Sequence, residues 1–142
     1  MPQLSPRLRQ VVDALPLESG MRVLEIGGAP GAAARAVAAR VGPGGHVLVL
    51  DRSARGIERT LINCRKEVES GQLSAMCAPV EDFELGSGVV LFDLAFACRV
   101  GAFDGRHPQL YRAALAKVRR VLVPGGTLYI DTGSPLTPVR FD

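Results

Sequence analysis

Apolar positions along the chain fall into short continuous runs separated by stretches of helical spacing. Residues 6–15 place Leu8, Val11, Val12 and Leu15 on one helical stripe, with Ser5 as cap and Pro6 in the first turn. Leu17-Glu18-Ser19-Gly20 ends that unit. Residues 22–26 read as a first strand. Residues 31–41 are rich in alanine and predict a helix, stopped by Gly42-Pro43-Gly44-Gly45. Val47-Leu48-Val49-Leu50 is a continuous apolar run within a second strand, 46–50, which predicts burial on both faces as in a parallel sheet. Residues 55–70 predict one helix with Ile57, Leu61, Cys64 and Val68 on its buried stripe. A third strand follows at 73–78, a loop or short turn at Val80-Glu81-Asp82-Phe83, and a fourth strand at 89–97, interrupted by Asp93. Residues 108–121 predict a helix facing inward through Leu110, Ala114, Leu115, Val118 and Leu122. Pro124-Gly125-Gly126 predicts a tight turn and 127–131 a fifth strand. Residues 132–142, with Pro135 and Pro138, show no period. Alternating strands and helices predict an α/β doubly wound sheet, mainly parallel, of about five strands with helices on both faces. The pattern runs through all of residues 1–142 as a single domain, without repeats or low-complexity tracts.

Composition narrows the picture little. The 142 residues are 47% hydrophobic and 22% charged, ordinary values for a globular chain. No apolar run approaches the roughly 20 residues needed to span a bilayer. Met1-Pro2-Gln3-Leu4-Ser5-Pro6 lacks the basic start and apolar core of a secretory leader, so the expectation is a cytoplasmic protein without membrane partners. Seventeen basic residues against 14 acidic ones give a net charge of +3. Apart from Arg119-Arg120 and Arg52/Arg55/Arg59 they are scattered, which argues against nucleic acid as a partner. Cys64, Cys77 and Cys98 have no metal-ligand spacing, and an odd count does not suit a disulfide framework; no metal is expected. Cys64 and Cys77 read as small buried hydrophobes.

The chemistry concentrates at the predicted strand ends, where sheets of this kind bind ligands. After the first strand, Glu25 is followed by a turn containing Gly27, Gly28 and Gly31 and then by a helix. Small residues there let a ligand approach the backbone, and the helix start offers free N–H groups. A carboxylate beside the turn repels a pyrophosphate but can hold an ammonium or a hydroxyl. Asp51 ends the second strand about 20 residues beyond Gly31, where an acidic side chain can take both ribose hydroxyls. Val80-Glu81-Asp82 follows the third strand, placed to touch an adenine edge. Each feature alone has an ordinary structural explanation; three consecutive strand ends together point to a nucleoside site.

These segments resemble the class I S-adenosylmethionine-dependent methyltransferases, whose fold is Rossmann-like. Glu25-Ile26-Gly27-Gly28-Ala29-Pro30-Gly31 matches the first motif of that family, with Ala29 in place of its middle glycine. Val49-Leu50-Asp51 resembles the second motif and Ala78-Pro79-Val80-Glu81-Asp82 the adenine-contact segment. Phe92-Asp93-Leu94-Ala95-Phe96-Ala97 resembles the fourth strand. Arg119-Arg120-Val121-Leu122-Val123-Pro124-Gly125-Gly126-Thr127-Leu128 resembles the helix, turn and fifth strand. The resemblance implies S-adenosyl-L-methionine as cofactor and S-adenosyl-L-homocysteine as product. It implies that Gly27, Gly28, Ala29 and Gly31 underlie the methionine and ribose, that Glu25 orients the amino group, and that Asp51 binds the ribose. Arg52 would flank the adenine, Val80 and Glu81 would read it, and Ala97 and Cys98 would lie near the methionine portion.

Pro79 stands where many relatives carry an acidic residue, so Glu81 or Asp82 is expected to substitute. Members of the family continue past strand five into a helix and two further strands, whereas this sequence ends about ten residues after it. Strand five is then an open edge, expected to be covered by the tail or by a second copy in a homodimer. Candidate groups for proton transfer near the fourth strand end are Cys98, Arg99, Asp104, His107 and Tyr111; none is singled out as catalytic. The motif that resembling enzymes use on exocyclic amines of bases is absent, since strand four ends in Ala97-Cys98-Arg99-Val100. The Gly-x-Ala-Pro-Gly turn resembles that of some ribose-methylating RNA enzymes, but Lys66 and Lys117 do not fit their catalytic set. A small-molecule methyl acceptor is the expectation. The alternatives are a module that binds the cofactor without catalysis, and a nicotinamide-dependent oxidoreductase, for which the chain has no room for a substrate domain.

Overall fold

A computed structural model describes residues 3–141; Met1 and Pro2, at the start of the segment read as lacking a leader, and Asp142, the last tail residue, lie outside them. Five helices and six strands follow one another among the described residues: α1 (Pro6–Ala14), β1 (Arg22–Ile26), α2 (Ala32–Val41), β2 (His46–Asp51), α3 (Ala54–Asn63), α4 (Arg65–Glu69), β3 (Leu73–Cys77), β4 (Phe92–Ala97), α5 (Tyr111–Val121), β5 (Leu122–Ile130) and β6 (Thr137–Arg140). Short 3-10 turns at Val80–Asp82 and Pro108–Leu110 precede β4 and α5. The strands form one sheet in the order β3-β2-β1-β4-β5-β6, parallel except for β6. Chain order reverses between β1 and β4, so the crevice at their carboxyl ends is the switch point of a doubly wound sheet.

Alternation along each strand divides the core. Val23, Val47, Val49, Leu94 and Phe96 face α1, α2 and α3, while Leu24, Leu48, Leu50, Ala95 and Leu128 face α5 and the 3-10 turn at Val80–Asp82. The first helix is capped as its sequence predicts, Ser5 Oγ accepting from Leu8 N at 3.2 Å. Asp93, the polar interruption of β4, accepts from Arg22 N at 2.8 Å and so ties β4 to the start of β1.

Five expectations need correction. The helix predicted over 55–70 is broken at Cys64 into α3 and α4. Thr60 Oγ1 donates back to Gly56 O at 2.8 Å, a bond of the kind that bends helices. The buried stripe of α3 is correspondingly Ile57 and Thr60, and Leu61 is exposed. Strand β4 begins at Phe92, its first residue with a partner on β5 (Leu122), and Val89, Val90 and Leu91 stay in an exposed loop. Cys64 is buried, but Cys77, at the last position of the outermost strand β3, is exposed. The turn at Pro124-Gly125-Gly126 loops out within β5, whose register jumps from Phe92↔Leu122 to Leu94↔Thr127. The tail is not irregular: residues 137–140 form β6, antiparallel to β5, with Leu128 opposite Val139. The sheet therefore has six strands, and of the two covers expected for the β5 edge it is the tail that supplies one.

Candidate functional site

The glycine turn joins β1 to α2 at the switch point. Gly27 has φ +76° and Gly31 φ +105°, both in the left-handed region that glycine enters freely. Space is as restrictive as conformation. A Cβ on Gly27 would lie 2.9 Å from Cys98 O and from Val100 Cγ2, on the segment following β4. A Cβ on Gly28 would lie 2.4 Å from the Glu25 carboxyl carbon. The turn thus lies on the Glu25 side chain, and only a glycine fits above it.

Glu25 is 1% exposed, and its Oε1 has no hydrogen-bond partner. Burial, with a further contribution from the nearby Asp51 charge, pushes its carboxyl up to about 8. A carboxylate without a bound cation is disfavoured there. Asp51, at the end of β2, accepts from Ala29 N at 3.1 Å through Oδ2 and from Ser53 N at 2.9 Å through Oδ1. Both bonds orient the carboxylate and leave each oxygen a lone pair. Capping of α3 falls to Ser53, whose Oγ accepts from Gly56 N at 2.9 Å.

A cavity of about 310 Å³ opens beside this turn. One wall is made by Gly27, Asp51, Arg52, Pro79, Val80 and Glu81, and the other by residues 98–102 with Arg106, His107 and Leu110. Of the residues expected to hold the cofactor, Gly27, Asp51, Arg52, Val80, Glu81 and Cys98 line this cavity. Glu25, Gly28, Ala29, Gly31 and Ala97 do not. Glu25 lies beneath the turn, and Ala97 is fully buried in the core of the α5 face. Gly31 acts as a packing residue, since a Cβ there would lie 2.7 Å from Cys64 Sγ.

The groups considered for proton transfer separate clearly. Burial pushes the Cys98 thiol up to about 12, with the Glu25 and Asp131 charges adding to the effect, so it stays protonated. The Arg106 side-chain hydrogen bond holds the Asp104 carboxyl below its usual range. Tyr111 packs edge-on against Phe103 at 6.2 Å and is not part of the cavity wall. His107 is part of it, its ring lying against Gly101, where a Cβ would come within 2.4 Å of Cδ2.

Two residues organise the second wall: Arg99, expected only as a candidate for proton transfer, and Asp131, which sequence reasoning missed. Arg99 has φ +54°, uncommon for a residue with a side chain. Its N–H donates to Asp131 Oδ2 at 2.9 Å, and its carbonyl accepts from Arg106 Nη2 at 2.8 Å. Asp131, at the end of β5, is 8% exposed and also accepts from Arg7 Nη2 at 3.3 Å. The signal for Asp131 was its place as a fourth acidic residue at a strand end; nothing local in the sequence marks the left-handed conformation of Arg99.

Residues 23–126 match the family described as "Methyltransferase domain". The chain belongs to the class I S-adenosylmethionine-dependent methyltransferase family. It is 33% identical over 116 residues to a ribosomal RNA large subunit methyltransferase E of Sorangium cellulosum, an alignment covering 78% of this chain and 51% of that protein. It is 34% identical over 124 residues to the ubiquinone/menaquinone biosynthesis C-methyltransferase UbiE of Bordetella avium, covering 84% and 45%. The chain spans about half the length of these curated relatives. Among solved structures, a SAM-dependent methyltransferase from Aquifex aeolicus superposes with TM-score 0.69 at 19% identity, covering 87% of this chain and 62% of that one. Coclaurine N-methyltransferase, bound to N-methylheliamine and S-adenosylhomocysteine, gives 0.70 at 19%, covering 87% and 34%. These likenesses establish the Rossmann-like fold, and the family's cofactor is S-adenosylmethionine. The residues present fit it: an orphaned buried carboxylate oxygen suits an ammonium, Gly27 contributes bare backbone to the cavity wall, and Asp51 retains acceptor capacity for hydroxyls. Among the described residues no cluster of side chains could hold a metal ion, and no helix is long and apolar enough to cross a membrane.

Proposed function

We propose that this chain transfers a methyl group from S-adenosylmethionine to a small-molecule acceptor. The observation that supports this best is the single cavity running from Asp51 and Gly27 to residues 98–102, with the unpartnered Glu25 carboxyl under its glycine turn. When bound, the cofactor supplies a methyl group on a sulfonium, open to in-line displacement by a nucleophile. The protein's part is alignment. Gly27 lets the ligand reach the backbone. Asp51 would accept from the ribose hydroxyls, the turn of Gly28, Ala29 and Gly31 would lie between Glu25 and the amino group, Arg52, Val80 and Glu81 would enclose the adenine, and Cys98, next in the chain to the buried Ala97, would back the methionine portion. His107 is the cavity group that can accept a proton where the acceptor must lose one.

The cavity, of about 310 Å³, has the size of a small-molecule site, at the lower end of the roughly 300–1,000 Å³ range. Titration calorimetry tests the cofactor assignment. S-adenosylmethionine and S-adenosylhomocysteine should both bind, and Asp51→Ala should weaken both at least tenfold; absence of binding by either ligand overturns the reading. Radiolabelled methyl transfer to a panel of small acceptors and to ribosomal RNA tests the rest, transfer to RNA alone removing the small-molecule assignment. A cytoplasmic location belongs to the same reading. So does a homodimer, expected through the strand-five edge or the C-terminal tail and, with β5 covered, meeting at the tail strand β6; a monomeric sedimentation profile at micromolar concentration removes it.

A further inference from the structure

The cavity has two chemically different ends. At one end Asp51 and Glu81 are acidic and suit the hydroxyls and amino groups of a nucleoside. At the other, past Cys98, the wall consists of Arg99, Val100, Ala102, Arg106, His107 and Leu110, with no acidic side chain among them. The two arginines there differ in their engagement. Arg106 is bonded to Asp104 through Nε at 3.0 Å and to Arg99 O through Nη2 at 2.8 Å. The Arg99 guanidinium has no hydrogen bond or ion pair with another of the described residues.

What is fixed at Arg99 is its backbone. The N–H is held by the buried Asp131 carboxylate and the carbonyl by Arg106, and between them the residue sits at φ +54°. A left-handed conformation is costly for a long side chain and persists where the surroundings over-determine it, which is a mark of functional positions. Asp131 and Arg106 both come from outside the segment they hold. Their common effect is to fix the backbone of Arg99 in the cavity wall, from which its exposed, uncommitted side chain extends.

We propose that the methyl acceptor is a small molecule with an apolar body and an anionic oxygen group, carboxylate or phosphoryl, that pairs with Arg99. A planar guanidinium matches either group in two-point hydrogen bonding. Val100, Ala102 and Leu110 provide the surface for the apolar body. Asp131 is then a positioning residue, acting through the Arg99 backbone. The inference rests on the methyltransferase reading above, because it assigns the far end of the cavity to the acceptor.

The test uses the chain saturated with S-adenosylhomocysteine and measures binding of four probes by calorimetry: benzoate, phenyl phosphate, neutral benzamide and a short oligouridylate. Benzoate or phenyl phosphate should bind at least tenfold tighter than benzamide, and whichever binds tighter identifies the oxygen group. Arg99→Gln should abolish that preference while leaving S-adenosylhomocysteine affinity within about twofold, and Arg99→Lys should retain part of it. Asp131→Asn should reduce the preference without moving S-adenosylhomocysteine affinity. Equal binding of benzoate, phenyl phosphate and benzamide overturns the proposal, as does a preference that survives Arg99→Gln. Arg99-dependent binding of oligouridylate alone also overturns it, since the anion is then an RNA backbone. Failure of S-adenosylhomocysteine to bind overturns the methyltransferase reading as well, whereas its binding without anion preference overturns this inference only.

Discussion

Glu25 and Gly28 form one unit, and the physical chemistry of both is governed by a contact of side chain with backbone. Gly28→Ala places a methyl carbon 2.4 Å from the Glu25 carboxyl carbon, so the carboxyl or the turn must move. The expected cost is about 1–3 kcal/mol of stability, with cofactor affinity lost as well; urea denaturation and calorimetry read the two separately. The Glu25 carboxyl is raised to about 8 in the fold, against 4.5 when exposed. Its contribution to stability is therefore fully present below 4.5 and is lost as pH rises to about 8. The ligand-free protein should weaken across that window by up to about 5 kcal/mol, and Glu25→Gln should flatten the profile and raise stability at pH 8. His46 gives a slope of the opposite sign. Burial pushes its ring below 6.5 despite the bond from Nδ1–H to Gly71 O at 2.7 Å, so its share of stability is lost as pH falls through the ordinary histidine range. The Glu25 effect dominates above neutrality, where His46 no longer titrates. A ligand-free stability profile that is flat between pH 7 and 8 would contradict the burial argument for Glu25.

At the scale of elements, the tail strand separates what pattern reveals from what only tertiary contact decides. β6 stabilises the sheet by covering β5, not by burying its own side chains, of which only Val139 is partly buried. A chain ending at Ser134 gives up the partly buried Leu136, Val139 and Phe141 with the β6 ladder, so it should be less stable than the full chain, and it should self-associate more in light scattering because it exposes the ladder of Thr127–Ile130. Unchanged scattering would mean that β6 does not protect that edge. The same logic explains which elements were legible. β1, β2 and α2 were readable to within a residue because their apolar runs meet neighbours on both sides. β6 was not, since an edge strand needs no apolar period and tolerates Pro138. Val89-Val90-Leu91 carries a strand pattern with no partner on β5, and the pattern alone did not reveal that. In the candidate site, Gly27 and Asp51 in the cavity wall and Glu25 beneath the turn were legible as candidates because glycines and acids at strand ends have few other uses together. Arg99 was legible only as a polar group near the fourth strand end; its left-handed conformation was hidden, being imposed by Asp131 and Arg106 from elsewhere in the chain.

For the molecule as a whole, Asp131 is where three distant parts meet: Arg7 of α1, the end of β5, and the cavity wall at Arg99. The two interactions at its carboxylate differ in worth. Arg7 is 61% exposed in its side chain, so its ion pair is screened by water and contributes well under about 1 kcal/mol. The bond from Arg99 N–H is made at a nearly buried carboxylate and holds a strained backbone, so its loss costs about 1–3 kcal/mol. Arg7→Ala should then change stability little and leave Arg99 in place, while Asp131→Asn should lower stability several times more. A double-mutant cycle between the two should give a coupling below about 0.5 kcal/mol. Hydrogen exchange at the Arg99 amide separates the contributions further, since it should accelerate in Asp131→Asn and stay slow in Arg7→Ala. Acceleration in both variants would mean that α1 is needed to hold the carboxylate, and that the first helix of the chain is mechanically part of the cavity wall.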